Sequence, residues 1–174
     1  MAGKAKNHII YSMKKYSFVP FILTLTVITM LLSCTADQTV YEEYQKFENL
    51  SWNRFNRLEY DLQVEDLESA YDIFINIRHI PEVPYKEMVI NFTLYTPSGD
   101  MRSVDYTLDF YDAEGLKLSE CMGDLCDLLV PLRKGFRFYE AGKVKFEIEN
   151  KFTKVDMPGI MEVGLIVKRS PAEE

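Results

Sequence analysis

The chain has 174 residues, of which 20 are lysine or arginine and 27 are aspartate or glutamate, for a formal net charge of −7. Its hydrophobic fraction of 47% and charged fraction of 27% fit one folded globular domain and exclude an intrinsically disordered chain. The acidic balance argues against binding to nucleic acid and against electrostatic binding to anionic lipid.

Residues 1–33 predict a secretory signal peptide. They contain four lysines and no acidic residue, and residues 18–32 form an apolar run interrupted by one proline and three threonines. At about 15 residues this run is short for a membrane span, which needs about 20. It ends in Leu31, Leu32 and Ser33 before Cys34, which looks like a lipobox. We therefore predict cleavage before Cys34 and lipidation of its thiol; the alternative is an uncleaved anchor helix with an incidental cysteine. Met13, followed by two lysines, would also make a typical signal start.

Cleavage at that position leaves a mature protein of residues 34–174. Sixteen basic residues remain against 27 acidic ones, so the net charge falls to near −11. Membrane attachment must then come from the acyl chains on Cys34, since two or more chains anchor stably where one is marginal. Residues 34–40 are short and polar and are predicted to form a tether. Thr35, rather than an aspartate, follows the cysteine, which favours the outer membrane, and we expect the periplasmic face.

The mature chain alternates apolar and polar residues in five segments. Every second position is β-branched, aromatic or otherwise apolar over residues 71–78, 88–94, 104–110, 144–149 and 161–168. Such alternation predicts half-buried antiparallel strands, with one face packed inward and the other in water. Pro97-Ser98-Gly99-Asp100 separates the second and third segments with the spacing of a hairpin turn.

Two earlier segments are less regular. Residues 54–64 predict a strand, whereas residues 41–49 are ambiguous, because Tyr41, Tyr44 and Phe47 fit a helical face and their aromatic character also suits a strand. Together the segments make seven to nine short strands with few helical signals. This pattern predicts an all-β fold: a single antiparallel two-sheet β-sandwich, immunoglobulin-like or jelly-roll-like, over residues 41–170.

The remaining cysteines, Cys121 and Cys126, enclose four residues. Outside the cytoplasm such a pair suggests a disulfide that closes a small ring and stabilises modestly, and two unpaired thiols fit the spacing equally well. A redox motif usually has two intervening residues, and a zinc site would need two further ligands. We predict no metal site here.

Catalytic chemistry is not indicated by the sequence. His79 is the only histidine of the mature chain and, at a strand end, is predicted to be a surface or turn residue rather than a base or ligand. Acidic residues are abundant but fall on the polar side of the alternating strands. Trp52, the single tryptophan, is predicted to belong to the core rather than to a sugar-binding platform. We expect no cofactor and no enzyme activity.

Several short segments resemble, in order, the GldH family of gliding-motility lipoproteins of Bacteroidetes. The most specific are Ile75-Asn76-Ile77-Arg78 followed by Pro84-Tyr85, and the closing Gly159-Ile160 and Val163-Gly164-Leu165; the others are Trp52, Pro97-Ser98-Gly99, Asp105 with Thr107, Gly115, Phe138 with Gly142, and Met157-Pro158. The chain departs from the family pattern at residues 150–153 and in its Cys121–Cys126 pair. The resemblance implies a cell-envelope lipoprotein needed for gliding and linked to type IX secretion, with no established catalytic residues.

Two functional hypotheses follow from different features. The first is a non-enzymatic component or accessory of the gliding and type IX secretion apparatus, with envelope proteins as partners. The alternative is a lipid-anchored glycan-binding accessory lipoprotein, for which exposed aromatic residues such as Tyr95, Tyr111 and Tyr139 would have to form a coplanar platform. A hydrolase has only the abundant acidic residues in its favour.

Overall fold

The computed structural model describes residues 38–171, so the predicted signal peptide and Cys34 lie outside the described residues. Within this range no helix could span a membrane. The described chain forms eleven strands, which are β1 (Thr39–Lys46), β2 (Ser51–Asn53), β3 (Leu58–Val64), β4 (Tyr71–His79), β5 (Glu87–Tyr95), β6 (Met101–Asp109), β7 (Glu120–Met122), β8 (Leu125–Phe136), β9 (Gly142–Asn150), β10 (Asp156–Pro158) and β11 (Ile160–Arg169).

These strands make two main antiparallel sheets. The five-stranded sheet has the order β1-β11-β4-β8-β7, and the four-stranded sheet has the order β3-β9-β5-β6. Strands β2 and β10 pair with each other in a short separate ribbon. The predicted fold class, an all-β antiparallel two-sheet sandwich, is confirmed.

The core lies between the inward faces of the two sheets. Strand β3 shows the underlying pattern, because its residues are alternately buried and exposed along its whole length. Tyr60 of β3 donates a hydrogen bond to the Val163 carbonyl of β11 at 2.8 Å, which joins the sheets through the interior. Trp52 is completely buried, stacks on Phe47 with ring centroids 5.7 Å apart and donates from Nε1 to the Asn56 carbonyl at 2.9 Å. Its predicted place in the core is therefore confirmed.

The two long sides of the sandwich differ. On one side β1 and β3 are adjacent, and Gln45 of β1 donates from Nε2 to the Glu59 carbonyl of β3 at 2.7 Å. On the other side β6 and β8 are the facing strands. Among the described residues no backbone hydrogen bond joins β6 to β8, and β7 pairs with β8 only from Leu125 to Asp127. This side of the sandwich is therefore open.

Some boundaries differ from the sequence-based expectations. Most of the ambiguous segment at 41–49 is a strand, which ends at Lys46 and begins at Thr39, inside the predicted tether of residues 34–40. The predicted strand at 54–64 begins only at Leu58. The strand number exceeds the predicted seven to nine because β2, β7 and β10 have three residues each, which is too short for a period-two pattern to reveal. The predicted hairpin turn is present, with Gly99 N–H donating to the Thr96 carbonyl at 3.0 Å.

Candidate functional site

A cleft of about 390 Å³ opens between β6 and the C-terminal part of β8, on the open side of the sandwich. Its floor consists of the buried core residues Ile73, Phe92 and Leu94. A second hollow of about 230 Å³ adjoins it and shares part of its lining, including Arg102 and Tyr139. The two hollows together form one concave surface with an apolar floor.

Four exposed cationic side chains line the larger hollow: Arg102, Arg133, Lys134 and Arg137. No carboxylate lines it. We call this hollow with its four cations the cationic cleft. Two carboxylates, Asp100 and Glu140, line the adjoining hollow. Both carboxylate oxygens of Glu140 already accept hydrogen bonds from Ser98, at 2.9 and 3.0 Å.

The cleft cations differ from many other cations of the molecule in having no ion-pair partner. Residues 38–171 contain sixteen lysine and arginine residues, and seven of these form ion pairs, as Lys143 does with Asp61 at 2.8 Å. None of the four cleft cations does. In a domain of net negative charge, the cleft is thus a local concentration of unneutralised positive charge.

Irregular pairing of β8 with β4 aims one of these cations inward. The register shifts twice, so that Arg133 lies opposite Ile73 and Phe136 lies opposite Tyr71. Extra residues of this kind form β-bulges, which bend a strand and redirect its side chains. Because Ile73 points into the core, its partner Arg133 is placed on the inward side. Gly135 completes the irregular segment at a φ of 63°, and its N–H donates to Asp72 Oδ1 at 2.8 Å.

An aromatic ring and a backbone carbonyl each contact one cation of the cleft. The Arg133 guanidinium lies 5.9 Å from the centroid of the Tyr106 ring, within the range of a cation–π contact. The Tyr106 hydroxyl is buried without a hydrogen-bond partner. Arg137 is positioned by a hydrogen bond from its guanidinium to the Glu68 carbonyl. Tyr139, at the rim, is 79% exposed.

This arrangement is suited to binding anions. Arginine presents several N–H donors in a planar fork that matches a carboxylate or a phosphate. The linings of the two hollows contain neither histidine nor cysteine. Among residues 38–171 no group of three or more histidine, cysteine, aspartate or glutamate side chains could hold a metal ion. The lining offers charge and apolar surface for a ligand.

A second polar cluster lies on the outward face of the five-stranded sheet. Arg78 forms ion pairs with Asp127 at 2.9 Å and with Glu162 at 3.3 Å, and Lys46 approaches Glu162 at 3.1 Å. The hydrogen bond to Asp127 raises the pKa of Arg78 above its usual range. Asn76 donates to the Tyr44 hydroxyl at 3.1 Å. The cations and acids of this cluster satisfy one another, which is the signature of a structural network.

Segments that carry the family resemblance meet in this structure. Asn76 and Gly164, from two different motifs, lie directly opposite each other on β4 and β11. Tyr85 donates from its hydroxyl to the Pro158 carbonyl at 2.8 Å, which joins two further motifs. Gly159 has a φ of 89°, and the Ile80 N–H donates to its carbonyl at 2.9 Å. These motif residues thus stabilise the sandwich rather than line the cationic cleft.

The prediction that His79 is a surface or turn residue is wrong, because its side chain is buried at the end of β4. Its ring packs edge-on against Phe110 with centroids 5.0 Å apart, and Nδ1 lies 2.7 Å from the Ile80 carbonyl, to which it can only donate. Nε2 is buried without a partner. Burial lowers the pKa of His79, more than the Ile80 carbonyl and Asp127 raise it. A buried, neutral imidazole of this kind is a core residue.

The structure joins Cys121 and Cys126 in a disulfide between β7 and β8, with the two Cα atoms 4.0 Å apart. Cys126 is completely buried and Cys121 is exposed, so the bridge fixes an exposed hairpin to the sheet. The proposed lipidation site, Cys34, lies outside the described residues.

The aromatic platform expected for a glycan-binding site is not formed by the three tyrosines named for it. Tyr95 donates to Glu147 at 3.0 Å, Tyr111 pairs by a backbone bridge with Lys117, and Tyr139 lies at the cleft rim. No ring contact joins any two of these three residues.

The sequence interpretation did not single out the cationic cleft. A local signal was present, since Arg133, Lys134 and Arg137 place three cations within five residues of an acidic chain. Arg102 comes from a different strand, and only the sandwich brings it to the others.

Comparisons with known proteins agree with the resemblance. A family model described as "GldH lipoprotein" matches residues 39–167. "Gliding motility lipoprotein GldH homolog" of Christiangramia forsetii is 26% identical over 161 residues, covering 88% of this chain and 97% of the relative. "Gliding motility lipoprotein GldH" of Flavobacterium johnsoniae is 24% identical over 155 residues, covering 85% and 94%.

A solved structure with a related sandwich is a carbohydrate-binding module, CBM28, specific for non-crystalline cellulose. It has a TM-score of 0.41 and 14% sequence identity, and the match covers 75% of this chain and 80% of the module. A likeness at that level carries no argument about function.

Proposed function

The chain belongs to the GldH lipoprotein family, and we propose that it is a non-enzymatic cell-envelope lipoprotein that serves the gliding and type IX secretion apparatus. The family match from residue 39 to residue 167 carries this proposal, because it spans nearly the whole described sandwich. The family is linked to gliding motility, and two curated relatives bear that word in their names. Type IX secretion and the absence of enzyme activity are part of the proposal.

Lipid on Cys34 would hold the domain at a membrane, and we propose the periplasmic face of the outer membrane. The second mature residue is Thr35 rather than an aspartate, which supports this location. The domain would then act through its surface. The cationic cleft supports a binding role, since its lining combines unneutralised cations with an apolar floor and contains no histidine or cysteine.

Deletion of the gene in its native host tests this proposal. We expect loss of colony spreading, or in a non-gliding host reduced export of type IX cargo, because an anchored accessory would be missing. The wild-type gene should restore the phenotype. A Cys34→Ala variant should not restore it and should leave the membrane fraction. Normal spreading together with normal export in the deletion strain would contradict the proposal.

A further inference from the structure

We propose that the cationic cleft binds an extended acidic segment of a partner protein, whose carboxylates recur at every second residue. This inference rests on the proposed function for the existence of an envelope protein partner. It adds the chemistry of that partner and the place where it binds.

The charge of the cleft is the first argument. Arg102 and Arg133 enter from opposite sheets, and Lys134 and Arg137 lie beside them without an ion-pair partner. Of the twelve other cations among residues 38–171, seven form close ion pairs, as Arg57 does with Glu149. Four positive charges held close together repel one another, and the carboxylates of a bound ligand would offset this repulsion. The ligand that complements the cleft is therefore an anion with several charges.

The open strand edges are the second argument. Strand β6 pairs with β5 on one side only, and β8 beyond Asp127 pairs only with β4. The free edge of β6 presents a row of backbone N–H and C=O groups, to which an extended polypeptide can add as a further strand. A phosphate ion or a lipid headgroup has no backbone with which to use this edge.

The directions in which the β6 side chains point determine the spacing of carboxylates that a bound segment should have. Leu94 lies opposite Arg102 and Phe92 lies opposite Val104, so these β6 residues share the inward face with the cleft floor. The outward face of β6 carries Asp105, which would repel an acidic neighbour. Because successive side chains of a strand point to opposite faces, an added strand would direct alternate residues toward the cations. Carboxylates at every second position fit this geometry.

The test uses the full-length lipidated protein in neutral detergent and a fluorescent peptide of alternating glutamate and threonine, about ten residues long so that it can pair along β6. Fluorescence anisotropy should show saturable binding that weakens with salt. A peptide of the same composition with the glutamates in one block, and an alternating lysine and threonine peptide, should bind much more weakly.

Variants locate the site. Arg133→Gln combined with Lys134→Gln should raise the Kd by about tenfold or more, the loss expected for even one charge-assisted hydrogen bond. The matched control is Lys117→Gln combined with Lys154→Gln, which removes two cations that also lack ion pairs but lie outside the cleft. The control should leave the Kd within about twofold of the wild type.

Four outcomes would overturn the inference. They are no binding of the alternating peptide, equal binding of the block peptide, equal weakening by the control variant, and displacement of the peptide when phosphatidylglycerol, but not phosphatidylcholine, is added to the detergent micelles. The result is independent of the deletion phenotype. A normal deletion strain would remove the motility and secretion proposal alone, whereas a defective strain with no peptide binding would remove the cleft proposal alone.

Discussion

Tyr44 of β1 lies directly opposite Gly164 of β11, and its ring occupies the space where a side chain on residue 164 would begin. A Cβ built on Gly164 would lie 2.6 Å from Tyr44 Cδ1 and 2.8 Å from Cζ, closer than such atoms approach in proteins. The hydroxyl of the same ring accepts a hydrogen bond from Asn76. The glycine thus allows the tyrosine ring of the edge strand β1 to lie over β11 and to reach Asn76 of β4.

Gly164→Ala should destabilise the domain by about 1–3 kcal/mol, because the added methyl group must displace the Tyr44 ring. Urea unfolding followed by the fluorescence of Trp52, the single and buried tryptophan, measures the loss. In a Tyr44→Ala background the same glycine substitution should cost much less, since the obstacle is gone. Equal costs in both backgrounds would show that the ring is not the cause.

The ion pair between Arg78 and Glu162 should contribute a measurable coupling energy. The two side chains are 31% and 13% exposed, so solvent screens them only partly. A double-mutant cycle with Arg78→Gln and Glu162→Gln should give about 0.5–1 kcal/mol, reduced at high salt. The Lys143–Asp61 pair, with both side chains at least half exposed, is the control and should give almost none. Comparable coupling for the two pairs would refute the role of burial.

His79 should make the domain less stable in mild acid. Burial lowers the pKa of His79 in the folded state. The contribution of the neutral ring to the free energy of unfolding is therefore fully present above the unfolded pKa of about 6.5, and it declines as the pH falls below that value. Protonation would also place an N–H on the unpartnered Nε2. Urea unfolding at about pH 7.5 and pH 5.5 should show a smaller acid loss for His79→Gln than for the wild type, because glutamine does not titrate. An unchanged pH dependence would exclude His79 as the source.

Replacing the Cys121–Cys126 pair with alanine should lower stability by about 2 kcal/mol, the chain-entropy value for so short a loop. The fold should persist, because the core lies elsewhere. Mass spectrometry with and without reductant checks that the wild-type protein carries the bridge. A loss of all folded structure in the double alanine variant would mean that the hairpin has a larger role.

Gly135→Ala should cost about 1 kcal/mol, since residue 135 has a left-handed φ of 63°. Nothing lies within 4 Å of a Cβ at this position, so the cost is conformational and not steric. Gly135→Asn should cost less, because asparagine tolerates this conformation better than alanine. Calorimetric unfolding distinguishes the two variants, and equal losses would contradict the backbone explanation.

Regular alternation made most of the sandwich predictable from sequence. The residues from Tyr71 to Ile77 predicted β4 and its inward face. His79 is the next residue in the same alternation, so extending the pattern by two residues would have placed the histidine in the core. The interpretation instead followed the usual surface preference of a lone histidine. In β8 the phase was lost, because the bulges before Arg133 and around Gly135 break the alternation. A period-two pattern cannot show which way a side chain points after a bulge, so the cleft became visible only in three dimensions.

The start of β1 also limits how a partner can approach. Thr39 of β1 pairs with Lys168 of β11, next to the position where β11 pairs with Tyr71 of β4. Tyr71 pairs in turn with Phe136 of β8. The first residue of β1 therefore lies at the same end of the sheet as the β8 residues of the cleft wall. Five Cα steps separate Thr39 from Cys34, which is at most about 18 Å of extended chain. If Cys34 carries lipid, as proposed, this short link keeps the Thr39 end of the sheet within that distance of the anchored residue. A partner in the same membrane would then need only a short extended segment to reach this end of the sheet.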